Sequence, residues 1–181
     1  VSKNPIERFT KKGIVANDIE YEFDSVVCAT GFAAMTGSFD KIQITGRDGL
    51  TLKDKWSAGP RTYLGLSSNG FPNLFMITGP GSPSVLASMI QAIEQHVDWI
   101  ADCISHMRDI GASTIEAKVH SENDWVDHVN EVSQVSLRST CSSWYVAANI
   151  PGRPRVFMPY IGGFPIYVDK CNSIMMGGYE G

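Results

Sequence analysis

The sequence predicts a chain of the α/β class, and two observations carry that prediction. One is a short continuous apolar run, Ser25-Val26-Val27-Cys28-Ala29, closed by Thr30-Gly31. The other is a unit at 75–111 in which a short apolar strand, a glycine- and proline-rich loop and a long amphipathic helix follow one another. Hydrophobic residues make up 43% of the chain and charged residues 19%, which is enough apolar material for a buried core rather than a disordered chain.

Residues 1–32 read as short strands with turns. Lys12-Gly13 marks a turn, and Ile19-Glu20-Tyr21-Glu22-Phe23 alternates as a half-buried strand does. The run at 25–29, apolar on both faces, predicts a strand of a covered parallel sheet. Residues 33–74 are loop-rich, with a strand expected around Ile42-Gln43-Ile44 and a tight turn at Arg47-Asp48-Gly49.

Phe75-Met76-Ile77 then reads as a short buried strand, and Thr78-Gly79-Pro80-Gly81-Ser82-Pro83-Ser84 as the loop. In the following helix Leu86, Ile90, Ile93, Val97, Ile100, Ile104 and Met107 recur at alternating spacings of about three and four, one continuous stripe expected to face the core. Gly111 ends it. A second helix is expected at about 121–137, with Ser121 as N-cap, Asp124 as capping partner, and Trp125, Val129 and Val132 as its buried stripe. Val156-Phe157-Met158 reads as a strand, and a last helix as Tyr167 to Met176, ended by Gly177-Gly178.

Several function classes are excluded by what the chain lacks. The net charge is −4 and no basic stretch suits nucleic acid or a membrane surface. No apolar run is long enough to span a bilayer. The opening Val1-Ser2-Lys3-Asn4-Pro5 has neither an apolar signal region nor an initiator Met, so the expectation is a cytoplasmic excerpt of a longer chain. Cys28, Cys103, Cys141 and Cys171 are widely spaced; no metal site is expected, only reduced, mostly buried thiols.

The loop at 78–84 is the strongest candidate for chemistry. A helix that follows a strand and a tight loop presents unpaired N–H groups and a partial positive charge, which favours an anion. Gly79 and Gly81 would let a flat ring approach the backbone; the loop reads equally well as a plain structural connection. There is no Gly-x-Gly-x-x-Gly and no P-loop, so phosphates would be held elsewhere. His96 and His106 fall off the apolar stripe and read as surface histidines. No G-x-S-x-G elbow accompanies Ser82, Ser84 and Ser88. Trp144-Tyr145 either packs on the core or lines a pocket, and Met89 is either a gap-filling core residue or a cofactor contact.

Longer strings go further. Asp24-Ser25-Val26-Val27-Cys28-Ala29-Thr30-Gly31-Phe32 resembles the A-T-G-F signature that joins the two nucleotide domains of flavin monooxygenases. Gly59-Pro60-Arg61-Thr62-Tyr63-Leu64-Gly65, Phe71-Pro72-Asn73-Leu74-Phe75 with Gly79-Pro80-Gly81-Ser82-Pro83-Ser84, and Ile93-Glu94-Gln95-His96-Val97 resemble blocks of the flavin-dependent Baeyer–Villiger monooxygenases. So do Ser143-Trp144-Tyr145 with Ala148-Asn149-Ile150-Pro151-Gly152, Tyr160-Ile161-Gly162-Gly163-Phe164 and Gly178-Tyr179-Glu180-Gly181. The resemblance runs in order from about residue 5 to the end.

It implies the C-terminal third of a Rossmann-like flavoprotein with two dinucleotide-binding domains. Residues 1–32 would be the end of the NADP-binding domain with its linker, and 33–181 the C-terminal part of the FAD-binding domain. FAD and NADPH are the implied cofactors, and a ketone and O2 the implied substrates. NADPH would reduce the flavin, O2 would add at its C4a position, and the ketone would become an ester or lactone. Met89 would contact FAD and Trp144 the NADP ribose. Ser84, Val85 and Leu86 would shape the substrate pocket, with Met158 on its wall. The catalytic arginine would lie before Val1, so no catalytic residue is expected here. A relative acting on sulfur or nitrogen, or an inert fragment, are the alternative readings.

The chain also departs from the family pattern. Ala33 stands where the family usually has Asp, removing a carboxylate from the linker. Ala148 replaces a common Gly, which predicts strain if that site needs φ > 0. Pro165 and Val168 replace basic tail residues, which argues against an ordered tail helix.

Overall fold

A three-stranded antiparallel meander forms the first of two units, Val1–Gly31, and the second unit is Phe32–Gly181. They are seen in a computed structural model that describes residues 5–29, 31–84, 87–137 and 141–180.

In the first unit β1 (Ile6–Phe9), β2 (Gly13–Ala16) and β3 (Ile19–Glu22) pair in chain order. The β2–β3 register runs Gly13↔Glu22 to Ala16↔Ile19, and the two-residue connection Asn17-Asp18 has φ of 55° and 59°. Positive φ at both positions suits the twist of a tight hairpin, and Asn and Asp tolerate it best among residues with a side chain. A bulge separates Ile6 from Arg8. The middle strand is buried, whereas Ile19 and Tyr21 of β3 are exposed rather than half-buried.

The predicted parallel strand at 25–29 does not form. Its described residues lie outside any ladder, and Val27 is 85% exposed. A strand exists only with a neighbour to take its N–H and C=O groups, and none of the described residues supplies one.

The second unit is helical and loop-rich. Its helices are α1 (Leu52–Lys55), α2 (Met89–Asp109), α3 (Val119–Ser133) and α4 (Phe164–Met176). α1 starts at Thr51, whose hydroxyl accepts from the Asp54 N–H at 3.1 Å, one of the donors a helix start leaves unpaired. The main core gathers Leu64, Leu66, Trp99, Cys103, Trp125, Val129, Tyr167 and Cys171, and so joins α2, α3 and α4 to the loop at 63–66. A smaller core holds Leu52, Trp56, Phe71 and Met76.

α3 buries Trp125 and Val129 as expected, but starts at Val119 after Lys118 rather than at Ser121. α4 is ordered despite Pro165, because a proline in the first turn gives up no helix hydrogen bond. The segments predicted as strands around Ile42–Ile44, at 75–77 and at 156–158 are irregular. The latter two hydrogen-bond to loops instead: Met76 N–H to Leu66 O at 2.8 Å, Met158 N–H to Tyr145 O at 2.9 Å. Arg47-Asp48-Gly49 is the expected turn.

The face that α2 buries differs from the predicted one. Ala92, His96, Trp99 and Cys103 are buried, while Ile90, Ile93 and Val97 are 70%, 39% and 45% exposed. Apolar side chains lie on two sides of this helix. The tertiary contacts select the side whose polar members find partners: Trp99 Nε1–H donates to Cys171 O at 3.0 Å, and both nitrogens of His96 are bonded.

Two thiols, Cys103 and Cys171, are buried; Cys28 and Cys141 are exposed, so the thiols are half rather than mostly buried. No described helix is long and apolar enough to cross a membrane.

Candidate functional site

The loop at 78–84 is fixed from every side by its own chain. Thr62 Oγ1–H donates to Pro80 O at 2.6 Å, and Ser82 Oγ–H to Gly79 O at 2.7 Å. Trp125 Nε1–H donates to Gly81 O at 3.1 Å. Gly81 N–H donates to Met158 O at 2.6 Å, and Tyr160 N–H to Ser82 O at 3.0 Å. Ser82 and Ser84 are buried.

The glycines of this loop are required by the protein's own packing. A Cβ on Gly79 would meet Gly65 O at 2.5 Å, and one on Gly81 would meet Thr62 Oγ1 at 2.9 Å and Trp125 Nε1 at 3.3 Å. The space a side chain would take is filled at both.

Thr78 opens the loop with φ of 54°, a conformation that crowds a β-branched side chain. Its N–H donates to His96 Nδ1 at 3.0 Å. His96, expected on the surface, is fully buried. Its Nε2 lies 3.0 Å from Tyr167 Oη, and Tyr167 Oη–H donates to Leu64 O at 2.8 Å. Burial lowers the His96 pKa to about 4 and raises that of Tyr167 well above its ordinary value, so both are neutral near pH 7.

At the far end of the loop, Ser84 Oγ is buried without a hydrogen-bond partner, an arrangement that calls for an explanation in a folded protein. Val85 and Leu86 lie outside the described residues. α2 then begins at Met89, so Met89 is its first residue and not one turn in. Met89 is 40% exposed, which removes the gap-filling reading. Ser88 gives no side-chain cap, and the first turn carries no acidic residue. The N-terminal amides therefore meet no side-chain anion of their own helix.

Trp144 lies in a short 3₁₀ turn, Trp144–Val146, stacked on Tyr145 at 4.3 Å and 19°. Tyr145 stacks in turn towards Phe157 at 6.2 Å. Met158 is bonded on one side to Tyr145 O and on the other to Gly81 N–H, so backbone bonds bring the segments of Ser84, Met158 and Trp144 together. The Met158 side chain is buried and borders a cavity of about 20 Å³ with Thr62, Gly81 and Trp125. That holds one water and no ketone. Positive φ falls at Ala147 (55°) and not at Ala148, so the strain expected from the alanine at 148 does not arise there.

Three residues of structural weight are not singled out by the sequence as buried. His96 lies three residues before Trp99 and Tyr167 four before Cys171, each on a buried helix face. Glu122 is 2% exposed; Lys55 Nζ donates to its two oxygens at 2.9 and 2.8 Å, Ser68 Oγ–H at 3.0 Å and Asn69 N–H at 2.8 Å. The only sequence sign of it is that Glu122 shares a face with Trp125 and Val129.

Comparison with known proteins extends along the whole chain. It is 40% identical over 183 residues to the acetone monooxygenase (methyl acetate-forming) of Gordonia sp. (strain TY-5), covering 100% of this chain and 34% of that protein. A steroid monooxygenase solved in oxidised form with NADP matches with a TM-score of 0.85 at 48% identity, over 99% of this chain and 34% of that one. OTEMO, solved with FAD and NADP, matches with a TM-score of 0.86 at 34% identity, over 99% and 33%. No family model matches the chain.

The solved structures it matches are flavin monooxygenases with two dinucleotide-binding domains. Within that class its relatives are Baeyer–Villiger monooxygenases; the chain matches their C-terminal part and spans about a third of their length.

Proposed function

We propose that this chain is the flavin-side C-terminal part of an enzyme that uses FAD, NADPH and O2 to insert one oxygen atom beside a ketone carbonyl, giving an ester or lactone. The observation that carries this reading is the end-to-end similarity to a relative named for converting acetone to methyl acetate. Bound FAD, reduced by NADPH, would supply the activated oxygen.

The chain's own residues would hold and shape the site. The uncapped start of α2 would face the flavin ring and stabilise its reduced, anionic form by about 1 kcal/mol. Met89, exposed in the first turn, would lie against that ring. Ser84, with its buried hydroxyl unpaired, would turn with Val85 and Leu86 towards the substrate. Met158 would back this wall, since its segment is bonded to Gly81. Trp144, held flat by Tyr145, would offer its indole N–H to the NADP ribose. Residues 1–32 would close the NADP-binding domain, and 33–181 would complete the FAD-binding domain. No catalytic side chain is assigned to this chain.

The test is the full-length polypeptide that contains this sequence. It should purify yellow, consume NADPH in step with added ketone, and yield the ester by mass spectrometry. A yellow protein that oxidises sulfides or amines and leaves every ketone untouched would move the assignment to that related class.

A further inference from the structure

We propose that His96 is a positioning residue for the Thr78–Ser84 loop: as the neutral Nε2–H tautomer it holds the left-handed Thr78 backbone through Nδ1, and so sets where the start of α2 and Ser84 stand. The functional half of this proposal rests on the flavin-side placement of the loop argued above.

The tautomer follows from the bonding chain. Leu64 O can only accept, so the Tyr167 proton lies on the 2.8 Å bond to it. Tyr167 Oη must then accept at 3.0 Å from His96, which puts the proton on Nε2. That leaves the Nδ1 lone pair for the Thr78 N–H at 3.0 Å. Each ring nitrogen thus has one role, and a second proton would set an N–H against an N–H. The other titratable groups against this chain, Cys171 and Tyr160, are both raised by burial, Cys171 to about 11, and stay neutral as well, so neither offers a charge that would favour imidazolium.

Thr78 needs this hold. Its φ of 54° is disfavoured for a β-branched residue and persists only where the surroundings over-determine it. An unpaired amide there would free the first residue of the loop, the one whose backbone is strained, while the bonds at Pro80, Gly81 and Ser82 hold the rest. The rings that carry the restraint, His96 and Tyr167, are fully buried, and each belongs to a long helix. The loop is therefore anchored to the rigid part of the unit.

The experiment uses the full-length polypeptide carrying His96→Leu or His96→Gln. Glutamine offers an oxygen acceptor and an N–H donor on one flat group and can keep both bonds; leucine can keep neither. Amide exchange read by mass spectrometry should rise about tenfold in peptides within 75–84 of His96→Leu, while peptides of α3 stay unchanged. Ketone turnover should fall by about tenfold or more with NADPH affinity kept. His96→Gln should return both readouts to within about threefold of the parent. Unchanged exchange at 75–84 in His96→Leu would overturn the proposal. So would raised exchange in His96→Gln, a readout that stands even where the leucine variant does not fold. Exchange needs no turnover, so an enzyme that oxidises no ketone would fail the functional reading while the exchange data still judge the role of His96.

Discussion

Gly79 and Gly65 meet backbone to backbone: a Cβ on Gly79 would stand 2.5 Å from the Gly65 carbonyl oxygen, and one on Gly65 would stand 2.5 Å from the Ser82 nitrogen. Two loops separated in sequence are thereby interleaved without room for a methyl group. Gly79 is not in the left-handed region, so the demand at this position is for space alone. Gly79→Ala should destabilise the full-length protein by about 1–3 kcal/mol, through overpacking against backbone that cannot turn aside. Gly111, with φ of 68° and no atom within 4 Å of where a Cβ would stand, is the contrasting control. Gly111→Ala should cost about 1 kcal/mol from backbone conformation and leave the loop and its turnover untouched. Denaturant midpoints with ketone turnover check both.

Lys55 and Glu122 make the one ion pair among the described residues with both side chains nearly buried, 11% and 2% exposed. Serine and backbone donors complete the carboxylate's shell, and Lys55 Nζ also donates to Asn69 O. Glu122→Gln keeps the shape but leaves the lysine charge unanswered. Lys55→Met leaves the carboxylate charge unanswered. Each should cost about 3–5 kcal/mol, whereas Lys55→Met with Glu122→Leu should cost distinctly less than the sum. An additive double variant, measured by urea unfolding, would show that the pair is not coupled as its geometry implies.

The pH dependence of stability should carry a signature of His96. Its folded pKa of about 4 lies below the ordinary 6.5, so the unfolded chain takes up a proton between these values and the native protein does not. The stabilisation is complete above pH 6.5 and is lost as pH falls towards 4, by about 2 kcal/mol at pH 5. His96→Gln lacks this titration. The difference in unfolding free energy between parent and His96→Gln should therefore shrink by that amount from pH 7 to pH 5, with the carboxylates common to both cancelling. A difference that holds constant over this range would place the His96 pKa near its ordinary value.

The contrast between helices and strands explains what was legible in the sequence. α3 could be read because Trp125 and Val129 mark a single buried face, and the end of α4 because Gly177-Gly178 follows Met176. α2 was legible as a helix but not as to its face, because isoleucines and valine occupy one side and Ala92, Trp99 and Cys103 another. Only partners remote in sequence, Thr78, Tyr167 and Cys171, decide between them. The apolar runs at 25–29, 75–77 and 156–158 have strand composition, yet a ladder needs a neighbour, and the latter two bond to loops instead. At the candidate site, motif resemblance pointed to the loop and Trp144. It included His96 in a string without a role and gave no sign of Glu122, because their contacts lie 18 and 67 residues away.

The exposed side of α2 leads to the last prediction. Met89, Ile90, Ile93 and Val97 stand at 40%, 70%, 39% and 45% exposure along one side of the helix, and a run of this size is unusual on a free surface. The relatives have about twice as much chain again beyond the matched third, and the phosphate-gripping glycine loops are not in this sequence. The isolated 181 residues should therefore purify colourless, bind a hydrophobic dye and unfold over a broad range rather than in one sharp transition. Ile90→Glu with Ile93→Lys should reduce dye binding by the isolated chain, because water then faces charges. The same pair of changes in the full-length polypeptide should lower flavin content, because that side is then buried against the rest of the molecule and the charges are left unpaired. An isolated chain that retains flavin through purification, or a full-length double variant with undiminished flavin, would show that this side of α2 faces solvent in the working protein.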